Sequence, residues 1–336
     1  MRTVLILNPT SGESALAGNH TTIDETKEKI LASLRTHNIE PTILYTTVED
    51  PGNGLAQQAA ADGAEIVIAA GGDGTLHAVA TGLIGTNSAL GILPMGTMNN
   101  IARSLKIPEE IEQACEIIAK GSSRSIDVGK INNHVFLEVS GIGLEAAIFP
   151  AAEELKSKGI LSTFRGVAQG LYTLLTFKPT RFTVTFDQKK RQYVHAIQIS
   201  ICNSPYYGAR LQFAPNAVMD DGLLDVLIYR RFSTFDYIRH AISISQGKRN
   251  VEQKITRRKV KSITIEAEHP VEIHADGEQK GHTPATIAIQ SGVLQVRVPK
   301  QMAEGPSITK PERKKRKVYR QAVQRDQSQE KGPVHV

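Results

Sequence analysis

The sequence contains no tryptophan, and aromatic residues make up only 5% of its 336 residues. A surface that stacks bases on aromatic rings between basic side chains has little to draw on, so nucleic-acid binding is not expected. Cysteine is nearly absent. Cys115 and Cys202 have no motif spacing, which excludes a disulfide framework and fits a reducing compartment. No apolar run approaches the roughly 18 residues that a membrane span needs. The apolar run at the start, within MRTVLILNPTSG, is too short for a secretory signal. The expectation is a soluble, cytoplasmic protein.

A charge surplus is also missing from most of the chain. The net charge of +6 comes from 40 Lys/Arg against 34 Asp/Glu. Residues 310–336 alone hold 9 Lys/Arg and 3 Asp/Glu, so residues 1–309 carry 31 of each. The sequence pI of 9.2 therefore describes a tail rather than a basic face.

What is present is a chain long enough for two domains of ordinary size, with 40% apolar residues to fill their cores. The first third alternates. TVLIL, PTILYT, EIVIAA and ALGIL read as strands at residues 3–7, 41–46, 65–70 and 89–93. Residues 24–35, 55–61, 75–83 and 108–120 read as helices between and after them. Short strands alternating with helices predict an α/β layer with a largely parallel sheet over residues 1–123.

The texture then changes. SIDVGKI, HVFLEVSGIG, RFTVTFD, HAIQISICN, LLDVLIYR, SITIEA, VEIHADGE, TIAIQ and LQVRVPK are short and often alternating. They predict an all-β, sandwich-like domain over residues 124–300, interrupted by one helix at 160–177. Residues 301–336 are polar and basic and read as a disordered tail.

Three small-residue turns follow strands of the predicted parallel sheet: NPTSG (8–12), GGDGT (71–75) and PMGTMNNIAR (94–103). Ligands of open α/β sheets bind beyond the carboxyl ends of the strands, and free N–H groups at a helix start attract phosphate. Neither the P-loop nor the G-x-G-x-x-G signature is present. The GGDGT turn holds Asp73 where phosphate loops usually carry a lysine. A lysine neutralises phosphate itself, which an aspartate cannot do.

With MDDGLLDV (219–226) and DGE (276–278), these stretches stand in an order and at separations that resemble the soluble diacylglycerol kinase catalytic family. That family includes bacterial lipid kinases and, more distantly, sphingosine and ceramide kinases. The resemblance runs from about residue 3 to residue 299. GGDGT alone is shared with NAD kinases and phosphofructokinases; the five together are far more specific.

The resemblance implies a phosphofructokinase-like ATP-binding α/β domain, a C-terminal β-sandwich, and an active site between them. It places ATP on Asn8, Pro9, Thr10, Ser11, Gly12, Thr47, Gly71, Gly72, Asp73, Gly74, Thr75 and Thr97. It makes Glu278 the catalytic base, with Asp73 serving the Mg²⁺-bound nucleotide. It places a structural Mg²⁺ at Asp221 and the carbonyls of Val218 and Leu223. The departures are His77 and Ala78, where the family commonly has Asn-Glu, and Asn100, where it often has Asp.

The acceptor implied is a lipid. Ile160, Leu161, Phe164, Val167, Ala168, Leu171, Leu174 and Leu175 share one helical face, either packed on the sandwich or lining an acyl entry. RKKRK (313–317) either binds anionic head groups, at about 1 kcal/mol per charge, for peripheral association with the inner membrane face, or is simply a solvated part of the tail. A kinase with a soluble acceptor such as NAD, or a non-catalytic nucleotide-sensing regulator, remain the alternatives on these residues. Oligomeric state leaves no mark on the sequence.

Overall fold

The computed structural model describes residues 2–10, 23–147, 170, 172–173, 176–208, 211–230, 232–245 and 254–300. Strands β1 (Thr3–Leu7), β2 (Thr42–Tyr45), β3 (Ile66–Gly71) and β4 (Ala89–Pro94) pair in parallel in the order β2-β1-β3-β4. All five residues of β1 and all six of β3 are buried, as near-continuous apolar strands covered on both faces must be. Helices α1 (Ile23–Arg35), α2 (Asn53–Ala61), α3 (Asp73–Leu83) and α5 (Ile111–Lys120) surround them, with the short α4 (Asn100–Ser104) after β4. Asp24 and Glu25 open α1 and Arg35 closes it, the charge order that a helix dipole favours.

The remaining strands are β5 (Ser122–Ile131), β6 (His134–Phe136), β7 (Val139–Gly143), β8 (Thr180–Phe186), β9 (Gln192–Cys202), β10 (Leu224–Arg230), β11 (Ile255–Val260), β12 (Ser262–Ala267), β13 (Glu272–Ala275), β14 (Glu278–His282) and β15 (Ala285–Val298). Apart from the contact between β15 and β4, their pairings are antiparallel. β8, TRFTVTF, buries every second residue from Phe182 to Phe186, the period of a half-buried strand. Phe136, Phe182, Ile199, Ile228, Ile263 and Ile287 share one core.

The structure departs from the sequence reading in several places. α3 starts at Asp73, not Thr75, because Gly72 is extended (φ −84°, ψ −175°) and an acidic residue is favoured in a first turn. α4 and a helix over Thr234–Ser245, here α6, were not expected. TIAIQ and LQVRVPK are one strand, β15, with an irregularity between Gln290 and Leu294 where Gly292 takes φ 65°. β15 pairs with β12 and β5, then runs parallel to β4 through Gln295 and Val296. The sheet is thus continuous from the α/β half into the β half, and residues 1–299 form one compact unit. The basic tail and residues 160–169 of the predicted acyl-facing helix, with Leu171, Leu174 and Leu175, lie outside the described residues.

Candidate active site

The strand order reverses between β1 and β3, so the turns after these strands flank the point where open α/β sheets take ligands. They are tied together there. Asn8 Nδ2 donates to Thr75 Oγ1 at 2.8 Å, and Asn8 Oδ1 accepts from the backbone N–H and the hydroxyl of Thr10. Pro9 and Thr10 are exposed, while Ser11 and Gly12 lie outside the described residues. Thr47 is exposed at the end of β2, its hydroxyl accepting from the Asp50 N–H at 3.1 Å. Asp50 in turn accepts from Gly52, Gly54 and Leu55 at the start of α2.

The turn after β3 touches the turn after β4. A Cβ on Gly96 would stand 2.7 Å from Gly72 Cα, and one on Gly71 would stand 2.6 Å from Thr75 Cβ. These glycines are therefore needed for close packing. Gly74 differs, because nothing lies within 4 Å of its Cβ position. It is exposed in the first turn of α3, where free N–H groups and the helix dipole favour an anion. Thr10 and Thr97, in the turns after β1 and β4, are also exposed. Gly96→Ala is expected to force the two turns apart and cost about 1–3 kcal/mol of stability, in the range of other overpacked sites. Gly74→Ala should leave the melting temperature unchanged and weaken ATP binding. Calorimetric titration beside thermal melts tests the pair, and wild-type ATP affinity in Gly74→Ala would remove the phosphate cradle.

Asp73 joins these turns as an acceptor. Its two carboxylate oxygens take the backbone N–H groups of Asn99 and Asn100, each at 3.0 Å. Asn99 adopts a left-handed conformation (φ 51°), and Asp73 thereby caps α4. Burial raises the Asp73 carboxyl above its ordinary pKa, with the amides of Asn99, Asn100 and Ile101 pulling the other way.

The β half contributes a second clamp. Asp276 (φ 45°) and Gly277 (φ 89°) form a two-residue hairpin between β13 and β14, both at positive φ as a type I′ turn requires. The Asp276 carboxylate accepts from Leu137, Glu138 and Val139 at 2.6, 2.9 and 3.0 Å. His77 of α3 reaches the same hairpin, its Nε2 3.6 Å from Asp276 Oδ2 and 3.3 Å from the Val135 carbonyl oxygen.

Glu278 follows as the first residue of β14, with its side chain 73% exposed. It accepts from the Lys280 ammonium, which holds its carboxyl below the usual range, and His77 and His134 add to the effect. Glu278 is thus ionised at neutral pH.

Where these two clamps meet, the structure places a carboxyl group that the sequence reading did not single out. Glu138 is 4% exposed and accepts from Asn100 Nδ2 at 3.1 Å. Burial pushes its carboxyl well above the ordinary range, and the charges of Asp276 and Asp73 add to that. The available signal was a lone glutamate inside the apolar stretch VFLEV.

The implied metal residues fit less well. Asp221 Oδ2 lies 2.6 Å from the Lys259 ammonium, and its Oδ1 accepts from the Leu223 N–H. Lys259 also contacts Asp225 at 3.2 Å and the Asn216 carbonyl oxygen. The Asp221 carboxylate is thus paired with a protein cation. Among the described residues no group of three or more His, Cys, Asp or Glu side chains is arranged to hold a metal. Val218 is 41% exposed in the same turn. Asp127 holds this region to the sandwich by accepting from Gly222 and Gly292 at 2.7 and 2.8 Å. A cavity of about 360 Å³ lined by Lys189, Lys190, Arg258 and Lys259 includes none of the nucleotide-turn residues.

A parallel α/β half with glycine turns at its switch point is thus continuous with a β-rich half that presents a carboxylate on a hairpin. The chain belongs to the diacylglycerol kinase catalytic-domain family. The profile of the diacylglycerol kinase catalytic domain matches residues 2–131, and that of the YegS C-terminal NAD kinase beta sandwich-like domain matches residues 139–298. The diacylglycerol kinase of Bacillus subtilis strain 168 is 28% identical over 308 residues, spanning 90% of this chain and 98% of that protein. That of Staphylococcus aureus strain Newman is 30% identical over 237 residues, 69% of this chain and 74% of that protein. The crystal structure of a diacylglycerol kinase from Bacillus anthracis superposes with a TM-score of 0.70 at 25% identity, covering 89% of this chain and 97% of that one. Membership of a kinase family implies ATP use. No helix among the described residues is long and apolar enough to cross a membrane.

Proposed function

We propose that this chain is an ATP- and Mg²⁺-dependent lipid kinase that phosphorylates a hydroxyl of a diacylglycerol-like or sphingoid lipid. The observation that carries this reading is the hydrogen-bonded continuity from the GGDGT turn to the DGE hairpin: Asp73 holds Asn100, Asn100 donates to Glu138, and Asp276 holds Glu138. This hydrogen-bonded link supports treating the nucleotide turns and the Glu278 hairpin as parts of one site. The relatives named diacylglycerol kinase give the acceptor its class.

In this reading residues 1–123 form the ATP-binding half and residues 124–300 the acceptor half. Asn8, Pro9, Thr10, Thr47, Thr75 and Thr97 would border the nucleotide, with Gly71 to Gly74 keeping the backbone close to its phosphates. Phosphoryl transfer through a loose transition state asks for positioning and charge stabilisation more than covalent help. Magnesium, when bound with the nucleotide, supplies that charge neutralisation. The Asp73 carboxylate fixes the two turns against each other. Glu278 accepts the acceptor hydroxyl's proton; its lowered basicity suits a step in which that proton leaves late.

The enzyme would work at the cytoplasmic membrane face, tethered by residues 310–336. ADP release measured with mixed micelles of a short-chain diacylglycerol, with a sphingoid base, with NAD, and with no acceptor tests the reading. Lipid-dependent release is the expected result. Turnover with NAD alone would move the protein to a soluble acceptor, and ATP binding without turnover would make it a sensor. Vesicle co-sedimentation of the chain lacking residues 310–336 tests the tether, and binding equal to that of the whole chain would exclude it.

A further inference from the structure

Two aspartates grip the two halves of the site in the same manner, and the residues they grip touch. Asp73 accepts the Asn100 N–H, Asp276 accepts the Glu138 N–H, and Asn100 Nδ2 donates to Glu138 Oε2 at 3.1 Å. The side chains of Asn100 and Glu138 belong to residues that are each 4% exposed. Asn100 Nδ2 has one further acceptor, the Gly208 carbonyl oxygen at 3.1 Å, and its Oδ1 has no partner among the described residues. The contact thus lies on the direct path between the start of α3 and the hairpin that carries Glu278.

Resting on the kinase reading above, we propose that Glu138 is a positioning residue for phosphoryl transfer. Its buried carboxyl group, bonded to Asn100 across the two halves, sets how the nucleotide turns and the Glu278 hairpin face each other. A carboxyl here is not needed merely to fill the space. Burying one beside Asp73 and Asp276 is unfavourable, and a glutamine could accept the same hydrogen bond at lower cost. The carboxyl nevertheless stands at the bond that joins the two halves, where a change in its hydrogen bonding bears on their alignment.

The test exchanges the two groups along the same bond with isosteric changes. Glu138→Gln keeps an acceptor and the volume. It is expected to lower kcat at least about tenfold, with ATP affinity and melting temperature nearly unchanged, since coupled sites commonly differ by that much. Asn100→Asp sets two carboxyl groups against each other and removes the donor, and should fall at least as far. The double variant Asn100→Asp/Glu138→Gln restores one amide and one carboxyl with their sides exchanged. It is expected to recover kcat about tenfold over the worse single variant, short of wild type because the Gly208 carbonyl loses its donor. A purely structural contact predicts instead that Glu138→Gln behaves as wild type. Wild-type turnover with an unimpaired Glu138→Gln, or a double variant no better than the product of the singles, overturns this assignment alone. No turnover by the wild-type protein with any acceptor overturns the kinase reading and the assignment with it.

Discussion

Glu278→Gln is expected to lower kcat by at least about 100-fold and to leave ATP affinity nearly unchanged, the loss typical of a positioned general base. The acceptor hydroxyl is a poor nucleophile, and its proton must leave as the bond to the γ-phosphate forms. Glu278 stands directly after the Asp276–Gly277 turn, ionised, on the exposed side of the hairpin. Asp276 is unsuited to the task, because its carboxylate is committed to three backbone N–H groups. Glutamine preserves volume and one acceptor oxygen while removing basicity. It also leaves Lys280, only 16% exposed, without its carboxylate, so a thermal melt must accompany the kinetics. Steady-state turnover beside calorimetric nucleotide titration decides the matter. A variant that keeps more than a tenth of its turnover means that the proton goes elsewhere.

Asp73→Asn should damage nucleotide affinity and turnover together, each by at least about tenfold. The carboxylate satisfies two backbone donors at the start of α4, and hydrogen bonds to a charged group contribute about 1.5–3 kcal/mol each. An amide offers one acceptor oxygen and turns its own N–H₂ toward the second donor. Asn99 is left-handed at this contact, and the same turn carries Asn100, which donates to Glu138. The effect is therefore expected on both substrates, unlike that of Glu278→Gln. A Mg²⁺ titration with near-normal turnover in Asp73→Asn would reduce Asp73 to an ordinary turn residue.

The α/β half was legible because its signals are local. Buried parallel strands read as apolar runs, such as IVIAAG, and turns at strand ends declare themselves through glycine. The β half was legible as a class but not in detail. Asp276–Gly277 is a strong hairpin signal, yet VEIHADGE was read as one strand because its apolar residues continue up to the turn. α6, TFDYIRHAISIS, mixes aromatic and β-branched residues that suit a strand as well as a helix. The grip of Asp276 on residues 137–139 cannot be read from local sequence. Glu138 was invisible for the same reason: a carboxyl buried between distant segments is defined by partners 38 and 138 residues away. His77 faces Asp276, so the change from the family's Asn-Glu falls where α3 meets the hairpin.

β15 carries a consequence for the order in which this molecule can be assembled. Its pairing with β4 joins Gln295 and Val296 to Ala89 and Leu90. During synthesis the β4 edge stands open until almost the whole of the described chain has left the ribosome. Exposed strand edges invite pairing with other chains, so the nascent α/β half spends the elongation of the entire sandwich with an adhesive flank. Nor can that half be harvested as a free-standing module by cutting near residue 123, since the scissors would remove its last strand. The two halves are separate in sequence texture but share one sheet, closed by a strand from the far end of the described chain.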